Sequence, residues 1–311
     1  MLTAVPIYIS WNYTYACNFN CSHCYSRAGT YPKELDTSAY FQIVEQFTRL
    51  GVMRVGLGGG EPLIRRDCVD VLAAMGSAHI DTNITTNAWF VNDKVAARLA
   101  AARLATMYVS LDSASSEKHD SFRRKVGSYD RVVSGIRSAT NAGIKVKLST
   151  VITTLNFLEL ADIVRLAEDL GIYGIEFKRF RPTGNGNLSK DILSLPSGDQ
   201  FDVQATLADL NERSPLDIAL FYNAESDGGI DSGCPCGIRS LTLRPNGDLS
   251  PCAYAGATIG KLPDDDLGAL WRESPALVHM RSAGSCAGLK PDKSPSGTGY
   301  APEPRVVAAQ N

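Results

Sequence analysis

The chain lacks the features that would assign it to a membrane, a secreted scaffold or a nucleic-acid complex. No apolar run approaches the roughly 20 residues needed to span a bilayer. The N-terminus has neither the basic region nor the long apolar core of a secretory signal. Basic and acidic residues nearly balance, at 31 against 33, so no basic stripe indicates a nucleic-acid footprint. We therefore expect a cytoplasmic protein whose partners include neither membranes nor nucleic acids.

Cysteine is present, but not in the density of a disulfide framework. Eight cysteines in 311 residues are too sparse for a small disulfide scaffold, and in a reducing compartment they favour metal binding or catalysis. Three of them, Cys17, Cys21 and Cys24, follow the spacing C-x3-C-x2-C. Three thiolates favour an iron–sulfur cluster with one open iron. A partial zinc site, or three unrelated core cysteines, are the alternatives.

Short β-branched runs alternate with longer amphipathic stretches between residues 7 and 182. Glycine follows three of the predicted helices, at Gly51, Gly143 and Gly171, where a helix C-cap is expected. Such alternation indicates parallel β/α units, and the sequence predicts an α/β fold, a partial (β/α)6 TIM-like barrel. In barrels the chemistry lies at the C-terminal ends of the strands, and the cysteine run follows the first predicted strand.

The composition changes after the sixth predicted strand. A segment rich in Gly, Asn and Ser, Pro182 to Ser197, indicates a boundary. We expect a barrel at 1–197, a small second domain at 198–288 and a flexible tail at 289–311. The second domain is predicted to contain a hairpin turned by Pro245-Asn246-Gly247 and a helix near Leu267–Arg281.

A glycine-rich turn, Gly58-Gly59-Gly60-Glu61-Pro62, follows the second predicted strand. Glycines let the backbone approach a ligand closely, and a glutamate can accept hydrogen bonds from an ammonium group. A P-loop is excluded because no Gly-Lys-Ser/Thr follows. Polar residues near the ends of later strands add to the pattern, in the order Asn87, Ser110, Asp112, Arg123 and Asn156. Taken singly, each is explained by an ordinary turn or cap.

In this order the motifs resemble those of the radical S-adenosylmethionine enzymes, over about residues 5 to 185. The resemblance implies that Cys17, Cys21 and Cys24 hold a 4Fe–4S cluster to which S-adenosyl-L-methionine (SAM) binds. It also implies a one-electron donor of the flavodoxin or ferredoxin type and a 5′-deoxyadenosyl radical. The implied SAM-binding residues are His23, Gly59, Gly60, Glu61, Asn87, Ser110, Asp112, Arg123 and Asn156.

The C-terminal cysteines resemble the SPASM/twitch extension of this superfamily. No terminal C-x2-C run follows Cys286, so we expect one auxiliary 4Fe–4S cluster, held by Cys234, Cys236 and Cys286, with Cys252 added if it is fully ligated. A zinc knuckle is the alternative. If only three thiolates ligate, Cys252 is the first candidate hydrogen donor and Cys234 the next. Cys68 is expected to be a buried, unreactive thiol.

The compact layout resembles the aminoglycoside-tailoring members, such as neomycin C epimerase. The resemblance favours an epimerase that abstracts hydrogen from an amino sugar and returns it from a cysteine thiol. Glu225, Asp227 and Asp231 are candidate contacts for a cationic amino sugar, or else form a solvated acidic loop. The alternatives are a radical dehydrogenase of amino sugars or cyclitols, a maturase of ribosomal peptides, and a non-catalytic metal-binding module.

Overall fold

The computed structural model describes residues 3–26, 31–196, 199–221, 235–253 and 257–283. The strands in these ranges are β1 (Tyr8–Thr14), β2 (Arg54–Gly59), β3 (Asp81–Thr86), β4 (Thr106–Ser110), β5 (Val146–Ile152), β6 (Gly174–Arg179), β7 (Asp217–Phe221), β8 (Ser240–Leu243), β9 (Asp248–Ser250) and β10 (Gly260–Lys261). The helices are α1 (Thr37–Leu50), α2 (Cys68–Ser77), α3 (Asp93–Ala101), α4 (Ser116–Arg123), α5 (Ser128–Asn141), α6 (Leu160–Asp169), α7 (Asn185–Leu188), α8 (Lys190–Leu193), α9 (Asp199–Arg213), α10 (Leu267–Glu273) and α11 (Pro275–Ala283).

The strands form one sheet in the order β10-β9-β8-β1-β2-β3-β4-β5-β6-β7. Strands β1 to β7 are parallel neighbours, which confirms the predicted α/β fold. Strand β8 runs parallel to β1, with Tyr8 opposite Ser240, so the C-terminal hairpin extends the barrel sheet. The proposed domain boundaries remain a prediction, and the tail at 289–311 lies outside the described residues.

The two faces of β1 show where the apolar core lies and where the polar cavity begins. Ile9, Trp11 and Tyr13 are fully buried against the outer helices, where Trp11 packs edge-on to aromatic rings of α1. Side chains on the other face, Tyr8 and Ser10 among them, line the interior of the barrel. Alternating residues of a strand point to opposite faces, so the polar positions of β1 produce a polar interior.

The helix ends follow local rules. Asp36 caps α1 by accepting a hydrogen bond from the Ala39 amide at 2.9 Å. The predicted C-cap glycines Gly51, Gly143 and Gly171 adopt left-handed backbone conformations, with φ of 77°, 78° and 63°. Within the described residues, no helix combines the length and the apolar character that a membrane span requires.

The predicted helix near Leu267–Arg281 is wrong in one respect, because it consists of two helices. Helix α10 ends at Glu273 and α11 begins at Pro275. Proline has no amide hydrogen and disfavours a helical residue before it, so the chain turns at Ser274, whose backbone is non-helical (ψ 122°).

Candidate active site

The three cysteines of the first loop lie together at the C-terminal end of the barrel. Cys17, Cys21 and Cys24 follow β1, and all three line a cavity of about 1070 Å³. Cys236 and Cys252 line the same cavity. The other candidates, Cys234, Cys286, Glu225, Asp227 and Asp231, lie outside the described residues.

Each cysteine sulfur has a polar neighbour. The Phe19 amide donates to Cys17 Sγ at 3.4 Å, Arg123 Nη1 lies 3.8 Å from Cys21 Sγ, and Ser26 Oγ lies 3.3 Å from Cys24 Sγ. Burial raises the pKa of Cys17 to about 12 and that of Cys21 to about 11. A bound metal centre would favour the thiolate forms, because the thiolate and not the thiol is the metal ligand.

A guanidinium holds the start of the cysteine loop. Arg65 forms a two-pronged ion pair with Asp67, at 3.0 and 2.6 Å, and lies 3.1 Å from Glu34. The other oxygen of Glu34 accepts from Thr14 Oγ1 at 2.8 Å and from the Tyr15 amide at 2.7 Å. The planar fork of arginine suits such paired contacts, and it fixes the chain that leads into the cysteines. Sequence reasoning missed this support.

The glycine-rich turn packs directly against the cysteine loop. The Gly60 amide donates to Thr14 O and the Glu61 amide to Ala16 O, both at 2.8 Å. A Cβ atom on Gly60 would lie 2.1 Å from Ala16 O, and Gly59 has a φ of 93°. Glycine is required here for the approach of two backbone segments as well as for any ligand.

The Glu61 carboxylate is buried and ties the turn to the end of β3. It accepts hydrogen bonds from the Asn87 amide at 2.7 Å, Thr86 Oγ1 at 2.8 Å and the Leu63 amide at 3.1 Å. Burial raises the pKa of Glu61 to about 7, while these donors act in the opposite direction. Glu61 lines the cavity, and its predicted contact with the ammonium group of SAM remains a prediction.

The turn offers a matched pair of glycine substitutions. Gly60→Ala is expected to lower the free energy of unfolding by about 1–3 kcal/mol and to reduce iron content, because the new methyl group collides with the cysteine loop. Gly58→Ala is expected to leave the free energy of unfolding within about 0.5 kcal/mol of wild type, because a Cβ there meets no atom within 4 Å. Urea unfolding and iron analysis measure both effects. Equal losses of stability and iron in the two variants would show that the close contact between Gly60 and the cysteine loop is not what matters.

The strand-end residues divide into two groups. Asn87, Ser110 and Arg123 line the cavity, as do the two predicted glycines, Gly59 and Gly60. Asp112 and Asn156 are buried behind the cavity wall, where Asn156 Nδ2 donates to Asp112 O at 2.8 Å and Val151 O at 2.9 Å. These two residues hold β4 and β5 together, and their predicted contacts with the cofactor remain a prediction.

Arg123 connects the cysteine loop to the barrel. It pairs with Asp112 at 2.5 Å, and both side chains are buried. Burial acts to lower the pKa of Arg123, but the neighbouring Asp112 carboxylate and Cys21 raise it, so the guanidinium stays charged. Close by, the imidazole ring of His23 stacks on the ring of Phe122, with the ring centroids 4.3 Å apart and the ring planes at 5°.

Several buried polar atoms around the cysteine loop have no hydrogen-bond partner among the described residues. They are Asn18 Nδ2, His23 Nδ1 and Arg123 Nε. Buried polar atoms are normally paired in folded proteins. An amino-acid and nucleoside ligand such as SAM offers hydrogen-bonding partners for these groups, so the residues present fit the cofactor that the resemblance implies.

A family model described as the Radical SAM superfamily matches residues 11–170, a span that contains the cysteine loop and the glycine-rich turn. The chain belongs to the radical SAM superfamily. Mycofactocin maturase MftC of Mycobacterium ulcerans is 31% identical over 294 residues, which cover 90% of this chain and 79% of that protein. PqqA peptide cyclase of Gluconobacter oxydans is 26% identical over 290 residues, covering 90% of this chain and 80% of the relative.

A solved structure shares the fold. SuiB of Streptococcus suis, bound to precursor peptide SuiA, superposes with a TM-score of 0.76 at 20% identity, covering 90% of this chain and 68% of SuiB. This likeness includes the region beyond residue 170, where the family model ends.

The cavity of this radical SAM enzyme has a cationic wall that sequence reasoning missed. Lys178, Arg179 and Arg181, at and beyond the end of β6, line the cavity together with Arg123. Lys178 Nζ donates to Ser149 Oγ at 2.9 Å and lies 3.2 Å from Glu176. Among the described lining residues, Glu61 is the one carboxylate, and its oxygens already accept three hydrogen bonds.

Proposed function

We propose that this radical SAM enzyme is a peptide maturase that modifies a ribosomally made precursor peptide. Similarity to mycofactocin maturase MftC, at 31% identity across 90% of the chain, carries the proposal. Similarity to PqqA peptide cyclase supports it. The amino-sugar epimerase favoured by sequence reasoning receives no such support from the comparisons, which favour the peptide alternative that the same reasoning left open.

The charge of the cavity supports the same choice. A polycationic amino sugar is bound best by carboxylates, and Glu61 is the one carboxylate among the described lining residues. Of the four basic side chains there, Arg123 pairs with Asp112 and Lys178 lies 3.2 Å from Glu176. A neutral or acidic peptide segment suits this wall better.

The chain's own residues have separable roles in this proposal. Cys17, Cys21 and Cys24 would hold the 4Fe–4S cluster, which together with bound SAM would supply the radical chemistry for removing a hydrogen atom from the substrate. The glycine-rich turn and Asn87 bind and orient SAM beside the cysteine loop. The cationic wall at the end of β6 positions the peptide.

An auxiliary 4Fe–4S cluster is part of the proposal. Cys236 and Cys252 both line the cavity, and we propose Cys234 and Cys286, which lie outside the described residues, as the other two thiolate ligands. In that arrangement Cys252 is a ligand and is not available as a hydrogen donor. Iron analysis of anaerobic protein tests this directly, with iron near eight per chain for two cubane clusters, and zinc at this site for a knuckle.

The function is tested by offering the anaerobically reconstituted enzyme two substrate classes under dithionite. One class is the set of short peptides encoded beside its gene, and the other is a panel of aminoglycosides. We expect 5′-deoxyadenosine formation to rise at least about tenfold, or ~1.4 kcal/mol, with one peptide, whose mass changes in step. Cys24→Ala protein serves as the inactive control.

The contrary outcome is equally specific. An aminoglycoside that is consumed and incorporates one deuterium from deuterated water, while every peptide stays unchanged, would restore the epimerase and overturn the maturase.

A further inference from the structure

We infer that a surface formed by Trp89, Arg124, Lys125, Val126 and Arg131, here called the Trp89 patch, docks an acidic one-electron carrier protein that reduces the cluster. The inference rests on the radical SAM chemistry of the proposed function and not on the identity of the substrate. The carrier's flavin or iron–sulfur centre would lose one electron and the cluster would gain it.

The first support is the contact between Trp89 and the cysteine loop. The Trp89 ring packs edge-on against Phe19, with centroids 5.7 Å apart and planes at 80°. Phe19 is buried, and its amide donates to Cys17 Sγ at 3.4 Å. Phe19 lines the cavity and half-buried Trp89 does not, so Trp89 lies on the far side of Phe19 from the substrate space. A protein docked on Trp89 approaches the cluster without entering the cavity.

The second support comes from the end of α4. The Ser22 amide of the cysteine loop donates to Phe122 O at 3.2 Å, and Arg123 reaches Cys21 Sγ. The next residues, Arg124 and Lys125, turn outward, and Lys125 Nζ lies 4.6 Å from the Trp89 ring centroid. Two of the three cations of the patch, Arg124 and Lys125, therefore belong to the same segment that contacts the cysteine loop.

The patch is positively charged. Arg124 and Arg131 are exposed, and Lys125 is half-buried. Of the nearby carboxylates, half-buried Asp120 accepts hydrogen bonds from the Gly127 and Tyr129 amides and from Ser128 Oγ. Asp130 is exposed, so the patch has three cations against two carboxylates, and its net charge is positive. Complementary charge accelerates the encounter of protein partners and selects among them.

Stability does not account for the position of Arg131. It lies in the fourth position of α5, close to the positive end of the helix dipole, where acidic side chains are favoured. Its guanidinium carbon lies 5.5 Å from the Trp89 ring centroid, near the outer limit of about 6 Å for a cation–π contact. A cation placed against the dipole is better explained by a partner than by the fold.

The patch also contains an exposed apolar residue. Val126 is 90% exposed and lies between the basic residues and the first turn of α5. An apolar contact within a charged surface is typical of small, transient interfaces such as those of electron-transfer proteins. The described features therefore fit a partner that binds briefly and leaves.

The test compares a flavodoxin with a small chemical reductant. We expect the double variant Lys125→Glu/Arg131→Glu to bind oxidised flavodoxin at least about tenfold more weakly (~1.4 kcal/mol) by flavin fluorescence anisotropy. Its affinity is expected to depend less on salt than that of wild type. SAM cleavage driven by flavodoxin and its reductase should fall in parallel, whereas cleavage driven by dithionite stays within twofold. Arg137→Glu, an exposed reversal farther along α5, serves as the matched control.

Each other outcome has a defined meaning. Wild-type affinity in the double variant overturns the docking surface, and so does an equal loss of affinity in Arg137→Glu. A parallel loss of dithionite-driven cleavage assigns the patch a structural role instead. Failure of the maturase proposal looks different, because peptides then remain unmodified with either reductant while flavodoxin binding is unaffected.

Discussion

Replacement of any one of Cys17, Cys21 and Cys24 by alanine is expected to abolish SAM cleavage, by at least about 1,000-fold, or ~4 kcal/mol in the activation barrier. The three thiols face one cavity, and a cubane that keeps an open iron needs all three as ligands. Loss of one ligand therefore removes the binding position for SAM. The measurements are 5′-deoxyadenosine formation under dithionite and the change that SAM causes in the EPR spectrum of the reduced cluster.

Cys68→Ala is the matched control for these three variants. Cys68 is fully buried at the start of α2, away from the cavity lining, and burial raises its pKa, which keeps it a thiol. We expect the iron content and SAM cleavage of wild type. The free energy of unfolding should be lower by about 1 kcal/mol because a small buried group is lost. A SAM-sensitive EPR signal that survives in Cys24→Ala would contradict the assignment of the loop.

The parts of the site that sequence reasoning predicted are local in the chain. The cysteine spacing and the glycine-rich turn are each short patterns whose members are neighbours in sequence, and the turn lies one β/α unit after the loop. Their meeting in space follows from one rule, because the C-terminal ends of parallel strands share one edge of a sheet. The fold class is predicted by the same alternation of strands and helices.

The missing parts depend on contacts between distant segments. The support of the loop by Arg65 and Glu34 joins two short connections whose residues carry no spacing signature.

Helix α4 was missed because its sequence is polar, with three of its eight residues buried, so its periodicity is weak. Strand β7 was missed because it is only five residues long and follows the segment in which the composition changes.

The substrate class could not be read from the same motifs. The cysteine loop and the glycine turn serve the cofactor, and the cofactor is common to reactions on many substrates. The amino-sugar hypothesis drew on the acidic residues Glu225, Asp227 and Asp231, whereas the described cavity is lined by Lys178 and its basic neighbours. These basic residues lie at and beyond the end of β6, far from the cysteines in sequence, and the fold brings both groups to one cavity.

Arg123→Met is expected to destabilise the fold by about 3–5 kcal/mol, the largest effect on stability that we expect from a single change. The substitution keeps side-chain length but removes the charge that pairs with Asp112 at 2.5 Å. Asp112 is 1% exposed, so its carboxylate is left buried without its cation. Urea unfolding of the anaerobic protein measures the loss, and Arg165→Met, at an exposed ion pair of α6, should stay within about 0.5 kcal/mol of wild type.

A double variant measures how strongly Arg123 and Asp112 interact with each other. Arg123→Met/Asp112→Asn removes both charges, so it is expected to be less destabilised than the sum of the two single variants, by at least about 1 kcal/mol. Additive losses would mean that the residues do not interact and that Arg123 acts through Cys21 alone, which lies 3.8 Å from its other nitrogen.

The pH dependence of Arg123→Met gives an independent measure of the same ion pair. Burial raises the pKa of Asp112, and Arg123 opposes that rise, so the pKa increases further when the arginine is lost. A carboxyl whose pKa is higher in the folded than in the unfolded protein binds protons on folding, and its contribution to stability falls as the pH rises through the folded pKa. The stability deficit of Arg123→Met should therefore shrink when urea unfolding is repeated at pH 5.5 instead of pH 7.5. A deficit that grows on acidification would show that Asp112 is not the group left unpaired.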